Sequence, residues 1–534
     1  MAKFTAKQRF GPPPPSADAT EVIVESRISG GMNTYLDPSD IENNQLVLLE
    51  NAFVLGDKIG RANGTSVTVP TKPNSDPILL YTNFKKFDGT SIYYRFTKNK
   101  VYRQGSSSWT EVTSGAAYSI SDNSRIRIAA LNNRLFFTTG NAAIQEINTI
   151  ANTYATLGNA GKYRYVTGFF NRLVGANLYD ATNPNPTLIG WSGDINFGEW
   201  DPLVDVSAGS TPLLEAGTDF TDPITGLFGF AAVMLILRDR SLWTATKRPV
   251  ASNPFSFQAA FPFVGCDTPD SAVQRRNGIT WYDYRSNQVY SYTLGETPQE
   301  IGNPIRYEIK RRITDKSLVS AGYDPILNEY HLMVPSNSSN YSYVFTYSYE
   351  VGSWRQRILL NGYGVYGIDG ATTSKTIDEL TGVIDSLTGT IDSLGVITNT
   401  SPSSIAYGLR DGDILTESPS IDTDNGAEMT TKIQSKIFRS PINDFSISRV
   451  HFVINPLRAG SLTVYYSKDG GVTWNTYKTA TWTADDVGVR RRISCIKHIR
   501  AKQFCWKIES TTGNFDFLEY AIEMEQAEFT KGYP

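Results

Sequence analysis

Residues 125–139 read Arg-Ile-Arg-Ile-Ala-Ala-Leu-Asn-Asn-Arg-Leu-Phe-Phe-Thr-Thr. Two runs rich in β-branched and aromatic residues, 125–130 and 134–139, flank the joint Asn132-Asn133. Short apolar runs either side of a two-residue polar joint are the pattern of a β-hairpin. Working outward, similar runs occur at 91–96, 101–103, 163–170, 241–246, 279–284, 288–292, 329–334, 341–349, 461–466 and 504–509. Most are bounded by Gly, Asn, Asp or Ser. Antiparallel hairpins continued over several hundred residues must hide their edges, either in sandwiches or by radial repetition.

A glycine precedes a tryptophan by two to four residues at Gly105/Trp109, Gly198/Trp200, Gly352/Trp354 and Gly471/Trp474, which favours radial repetition with uneven insertions. The last copy, Ser467-Lys468-Asp469-Gly470-Gly471-Val472-Thr473-Trp474, matches the Asp-box pattern S-x-D-x-G-x-T-W. In such a box Ser467 and Asp469 bond the backbone of their own turn, Gly471 supplies positive φ, and Thr473 and Trp474 complete and cover it. That role is structural. The fold expected is all-β: a β-propeller of antiparallel hairpins with loop insertions, the C-terminal part left open as further propeller strands or a β-sandwich-like portion.

Composition narrows the function. The 534 residues carry 50 Lys+Arg against 53 Asp+Glu, a formal net charge of −3. Proteins that grip nucleic acid through phosphates are strongly basic, so this one is not expected to hold DNA, although DNA could slide past it. Charged residues make up 19%, below the usual ~25%, while Tyr, Phe and Trp are abundant and suit half-buried sheet faces or partner contacts. Residues 1–27 have no apolar core of a signal peptide and include the Pro12–Pro15 run, an extended arm. The most apolar stretch, 224–237, is shorter than the roughly 20 residues needed to span a bilayer and reads as two buried strands, so no membrane-spanning segment is expected. Cys495 and Cys505 flank an expected turn at 497–501; reduced buried thiols are favoured over a bridge, and His498 in that turn is a poor zinc ligand without a fourth donor.

Catalytic patterns are scarce. His331, His451 and His498 are scattered, with no G-x-S-x-G elbow beside them. Residues 158–163 lack the spacing and the Ser/Thr of a phosphate loop, and 422–426 lack the closing Glu of a calcium loop. Neither a metal nor a cofactor is expected. Lys85, Lys86, Arg95, Lys98, Lys100 and Arg103 form a basic cluster, a candidate contact for DNA or an acidic partner that also fits an ordinary exposed strand face. A glycan-binding or sialidase-like propeller is the competing class. It would need an arginine cluster and a Tyr nucleophile, and the Arg-Ile-Pro signature that accompanies sialidase Asp boxes is missing.

Residues 376–394 run as nearly three heptads, with Ile377, Ile384 and Ile391, and Leu380, Leu387 and Leu394, at coiled-coil spacing. Gly382 and Gly389 weaken a helix there, so a turn-rich loop or short broken helices that pack these six residues on a neighbouring surface are expected.

Gly30-Gly31-Met32-Asn33-Thr34, Asp37-Pro38-Ser39-Asp40-Ile41, Leu48-Leu49-Glu50-Asn51-Ala52-Phe53 and the turn Gly60-Arg61 open a set of short motifs. It continues with Arg172-Leu173-Val174-Gly175-Ala176, Trp191-Ser192 with Trp200, Ile224-Thr225-Gly226-Leu227, Tyr323-Asp324-Pro325 before Glu329-Tyr330, and Gly352-Ser353-Trp354. Together they resemble the tail nozzle (tail hub or stabilisation) proteins of short-tailed bacteriophages over most of residues 28–530, and the 376–394 heptad is similar to repeats in these proteins. Gly60-Arg61-Ala62-Asn63-Gly64 departs from their usual Lys-Arg-Pro-Gly. The resemblance implies a non-enzymatic virion protein, assembled in the host cytoplasm as a homohexameric ring in the tail. It would sit below portal and adaptor proteins, pass genomic DNA on ejection, and hold tail fibres or a tail tip. The layout expected is an arm at 1–27, a propeller at 28–372, the heptad insertion at 373–400, and propeller strands or a C-terminal β domain with the Asp-box hairpin at 401–534.

Overall fold

The computed structural model describes residues 20–69, 71–86, 91–105, 107–113, 118–122, 124–179, 184–194, 196–214, 222–336, 340–368, 405–418, 421–439 and 444–526. The heptad residues Ile377, Leu380, Ile384, Leu387, Ile391 and Leu394 lie outside them, as does the Pro12–Pro15 run. The chain is mostly β and divides into two compact units, one of Met1–Ala62 with Thr430–Pro534, the other of Asn63–Met429.

The 63–429 unit is a β-propeller with six self-contained blades. Five are four-stranded antiparallel sheets. Blade 1 holds Leu80–Lys85, Ser91–Phe96, Val101–Gln104 and Trp109–Glu111; blade 2 runs from Arg127–Leu131 to Thr153–Thr156. Blade 3 runs from Tyr163–Phe169 to Gly209–Pro212, blade 4 from Ile224–Gly229 to Phe255–Pro262, and blade 5 from Val273–Arg275 to Gln299–Glu300. A further antiparallel meander, from Ser320–Asp324 to Ser353–Leu360, follows blade 5. Its first strand packs against the first strands of both blade 5 and the closing sheet. That closing sheet joins Gly362–Gly367, Ile405–Leu409 and Ile414–Ser418 to Gly64–Val67 from the start of the unit, so both ends of the propeller chain meet in one sheet.

Side-chain alternation explains why these strands are apolar on both faces. In blade 2, Leu135 and Phe137 turn to the core shared with blade 1, while Phe136 turns to blade 3 and meets Phe197 edge-on. In blade 4, Met234 and Ile236 pack with Trp191 and Phe255 of the blade 3 interface, while Leu235 and Leu237 pack towards Trp281 of blade 5. A strand sandwiched between two sheets reads as a continuous apolar run. The stretch 224–237 is therefore two strands, as its glycines imply. Tight turns inside blades use asparagine with positive φ: Asn132 and Asn133 in blade 2, Asn171 in blade 3 and Asn328 in the bridging meander.

The other unit is a large curled mixed sheet, a half-barrel. Its spine is the antiparallel pair Phe445–Ser467 and Gln503–Gln526, strands of 23 and 24 residues. The register between them shifts at several points, and each extra residue bends the pair and adds twist. Phe452, Trp506, Phe517 and Tyr520 pack edge-to-face in its core. Arg61 is 1% exposed and donates to the carbonyls of Gly513 and Thr511, where Gly513 has positive φ; Lys58 pairs with Asp516 at 2.6 Å. A Cβ on Gly60 would meet the Phe53 ring at 2.4 Å.

Several sequence expectations are corrected. Residues 28–62 fold with the C-terminal part rather than with the propeller, because Gln45–Glu50 and Lys58–Arg61 find hydrogen-bonding partners at 431–435 and 516–517. Residues 405–418 close the propeller, and only 430–534 leave it. Of the expected arm, Thr20–Glu25 is a strand on Gln503–Gln526. Gly60-Arg61 ends a strand and makes no turn. The expected turn at 497–501 is also strand: Arg491–Ala501 and Gln503–Gln526 flank the Phe445–Ser467 strand on its two sides. Cys495 therefore lies opposite Val450 and Cys505 opposite Ser467, and both thiols are free and buried. The Gly/Trp spacing does not mark equivalent blade positions, since Trp109 and Trp354 lie in outer strands, Trp200 in a loop and Trp474 outside the propeller.

Candidate functional site: the axial cavity of the propeller

The first strand of every blade, and of the bridging meander, lines one cavity of about 300 Å³. That volume is at the lower end for small-molecule sites, which run from roughly 300 to 1,000 Å³. Arg127, at the start of the first strand of blade 2, donates to Asp270 at 2.8 Å. Asp270 is held in a 3-10 turn, Pro269–Ser271, that leads into blade 5. The Arg127 guanidinium also lies 4.5 Å over the Tyr165 ring of blade 3. Burial pushes the Tyr165 phenol up to about 12, outweighing the arginine that favours its ionised form. A phenol held neutral is no nucleophile at ordinary pH, and Asp270 is committed to its arginine. The arrangement is an electrostatic strut between blades 2 and 5.

Arg125, two residues earlier, is 7% exposed and donates through Nη2 to the carbonyls of Leu318 and Tyr363, with its guanidinium 4.7 Å over the Tyr363 ring. The Tyr366 hydroxyl donates to Ile78 O at 2.6 Å. These contacts tie blade 2 and the closing sheet around the same axis. The apolar alternation at 125–130 predicts a strand that includes Arg125 and Arg127 but assigns them no role. Their only local signal is two arginines bracketing an isoleucine at a strand start, where an outer sheet face would look the same.

The basic cluster does not form one surface. Arg95 is fully buried, donates to Gly412 O at 3.1 Å and to Asn74 Oδ1 at 2.9 Å, and stacks near Tyr102 and Trp109. Lys98 pairs with Asp76 at 3.1 Å and Lys100 with Glu111 at 2.8 Å. Lys85 lies opposite Ser91, at the end of blade 1 remote from Phe96, and Lys86 follows it; Arg103 is half-buried opposite Tyr94. Proximity in sequence put these residues on two ends and two faces of one blade, so they present no continuous basic patch.

The Asp box folds as its sequence predicts, at the turn between Phe445–Ser467 and Asn475–Trp482, and so belongs to the half-barrel unit. Ser467 Oγ donates to Asp469 at 2.6 Å and accepts from Gly471 N at 2.8 Å; Asp469 accepts from Thr473 N at 2.9 Å. Gly470 and Gly471 have φ of 71° and 94°. The Ser467 and Thr473 donors hold the Asp469 carboxyl down at about 2. Trp474 lies within 3.5 Å of the Cβ position of Gly471 and beneath the Lys507 ammonium.

The histidines occupy separate places. His331 lies beside Glu329 and Thr346 in the propeller, and exposed His498 beside half-buried Ser446. His451 stands between Ser494 Oγ at 3.0 Å and Glu523 Oε1 at 3.3 Å, a Ser/His/Glu row across three strands. A serine nucleophile needs nearby N–H donors for the oxyanion. Ser494 sits mid-strand, where the backbone pairs with 450–452 in the ladder, so the row reads as a polar network on a sheet face. In the former calcium-loop candidate, the Asp424 carboxylate is engaged by Arg357 and Thr65.

No protein-family model and no curated protein matches this chain. Among solved structures, it is similar to a quinonprotein alcohol dehydrogenase-like protein from Bacteroides thetaiotaomicron, at 11% identity and a TM-score of 0.31 over 52% of this chain and 66% of the other. It is also similar to a carbohydrate-binding module, TmCBM61, solved with β-1,4-galactotriose, at 10% identity and a TM-score of 0.14 over 19% of this chain and 64% of the module. The chain thus spans about two thirds of each of these structures, and likenesses this distant carry no argument about function.

Proposed function

We propose that this chain is the structural subunit of a tail nozzle in a short-tailed bacteriophage, a homohexameric ring below the portal and adaptor that holds fibres or a tail tip and passes DNA on ejection. The observation that carries the reading is where the motifs of the sequence resemblance fall. They are spread over both units, at positions where the backbone or core requires that residue type. Gly31 has φ 63° beside buried Met32 and Asn33, and Gly352 has φ 68° ahead of buried Trp354. Arg172 is buried and donates to the carbonyls of Ser192 and Ser207, joining the Arg172–Ala176 motif to Trp191-Ser192. Arg61 clamps the bend of the longest strand. Motifs that specify a fold support kinship; they name no catalytic site.

The axial cavity bears on the route of the DNA. It holds about 300 Å³ and is bridged by Arg127 and Asp270, whereas the major groove alone of a duplex is roughly 12 Å wide. In the proposed assembly the DNA runs along the axis of the ring of copies. A near-neutral, slightly acidic chain suits such a lumen, because phosphates there should not be held. Exposed Leu203, Val204 and Val206 in the blade 3 loop suit burial in an assembly. Electron microscopy of the protein mixed with its adaptor tests the reading: sixfold rings support it, and a protein that stays monomeric overturns it. The receptor-binding alternative would instead bind or cleave glycans on an array.

A further inference from the structure

Four strands of the half-barrel unit stand side by side in the order Thr20–Glu25, Gln503–Gln526, Phe445–Ser467, Arg491–Ala501, each antiparallel to the next. Among the described residues no strand pairs with the outer side of the first or of the last. One cross-strand row crosses all four: Val22 opposite Glu523, Glu523 opposite Arg449, Arg449 opposite Ile496. Its middle is a charge pair, Arg449 and Glu523, 4.0 Å apart. Its two ends are apolar and open, with Val22 53% and Ile496 71% exposed; Val24 on the same face as Val22 is 55% exposed.

The two edges differ in charge. Thr20–Glu25 reads Thr-Glu-Val-Ile-Val-Glu, with Glu21 and Glu25 and no base. Arg491–Ala501 carries Arg491, Arg492, Lys497 and Arg500 and no acid; Arg491 pairs with Asp486 at 3.0 Å and Arg500 with Asp444 at 3.2 Å, so its net positive charge rests on Arg492 and Lys497. The acidic edge has none of the lysines, prolines or bulges that normally blunt a sheet edge. The basic edge repels another of its own kind and attracts an acidic one.

We propose that these two edges join successive copies of this chain: the Thr20–Glu25 strand of one copy adds to the outer side of Arg491–Ala501 of the next. The added strand keeps the antiparallel alternation, sets Val22 and Val24 beside Ile496, and brings a strand of acidic sequence to a basic one. Two different edges make a heterologous, head-to-tail contact, the kind that closes into rings. Strand addition at an open edge draws its affinity from main-chain hydrogen bonds, which explains why the edge has been left bare. The inference deepens the ring reading and rests on it by naming the surface through which the ring closes.

Cysteine pairing tests it. Within one copy, Val22 and Ile496 are three strand spacings apart, roughly 14 Å, whereas a disulfide requires Cα atoms within about 7 Å. The V22C/I496C double variant, oxidised, should therefore give a ladder of covalent oligomers on a non-reducing gel, while each single variant stays at monomer mass. Both positions are exposed, and an unchanged melting temperature checks the fold. Val22→Lys should raise the concentration at which rings dissociate at least tenfold, and Ile496→Glu in the same chain should restore it. Rings seen by electron microscopy without a ladder overturn this interface and leave the nozzle reading standing. A covalent dimer from Val22→Cys alone shows the edge pairing with itself and also overturns it. Neither rings nor ladder overturns both.

Discussion

Arg127 and Asp270, 143 residues apart in sequence, meet at 2.8 Å in the axial cavity, so blades 2 and 5 are joined across the propeller rather than only through their neighbours. Both side chains are about one-fifth exposed to the cavity, which places the pair between surface and buried ion pairs. Asp270→Ala should destabilise the propeller by about 2 kcal/mol, since it leaves a partly buried guanidinium unmatched. A double-mutant cycle with Arg127→Met should recover about 1 kcal/mol of coupling in urea unfolding. Additive effects would remove the strut.

Glu329 gives the propeller an acid-sensitive contact. Burial raises its pKa, but Arg355, at 2.5 and 2.7 Å, together with His331, overcomes that and holds the carboxyl at about 2. A carboxyl depressed in the folded state binds protons more readily when unfolded, so its stabilisation is full above about pH 4.5 and is lost as pH falls towards 2. Glu329→Gln should cost about 3 kcal/mol at pH 7 and flatten the melting-temperature profile between pH 5 and 2, measured by calorimetry. An unchanged slope would contradict the assignment.

The closure of the propeller depends on a buried network. Arg357 bonds Glu417 at 2.9 Å and also Asp424, which accepts from Thr65 Oγ1 at 3.0 Å; the Tyr407 hydroxyl donates to Glu417 at 3.0 Å. Thr65 belongs to the strand that closes the last sheet. Asp424→Ala should cost about 3–5 kcal/mol, and the amides of Gly64–Val67 should lose exchange protection before those of blade 4. Uniform loss across the blades would show that closure is not the weak point.

The three cysteines should be inert in the native protein. Burial pushes the Cys495 and Cys505 thiols up to about 12 each, and that of Cys266 further still. A thiol reagent needs the thiolate and access to it. At pH 8 the folded chain should react at least a hundredfold more slowly than the chain in guanidinium. Rapid stoichiometric labelling of the native protein would contradict the burial.

What the sequence revealed and what it hid follow from the range of the interactions. The strand Ser91–Phe96 and the Asn132-Asn133 hairpin were legible because alternation and turn chemistry are local. The Asp box was legible for the same reason, since Ser467, Asp469 and Thr473 bond one another within a single turn. The unit boundaries were not, because Thr20 pairs with Glu525, and no local pattern announces a partner that far away. Spacing alone groups Arg95 with Lys98 and Lys100. Its strand position turns it inward, where backbone carbonyls and aromatic rings take up its charge. Arg125 is held in the same way by the carbonyls of Leu318 and Tyr363 and by the Tyr363 ring, and a single sequence does not distinguish an arginine that grips a carbonyl from one offered to a partner.

The symmetry of the proposed ring of copies is directly measurable. Class averages of the purified protein with its adaptor, by negative-stain electron microscopy, should show closed sixfold rings with an open lumen. Monomers, or threefold particles without a lumen, would contradict the nozzle.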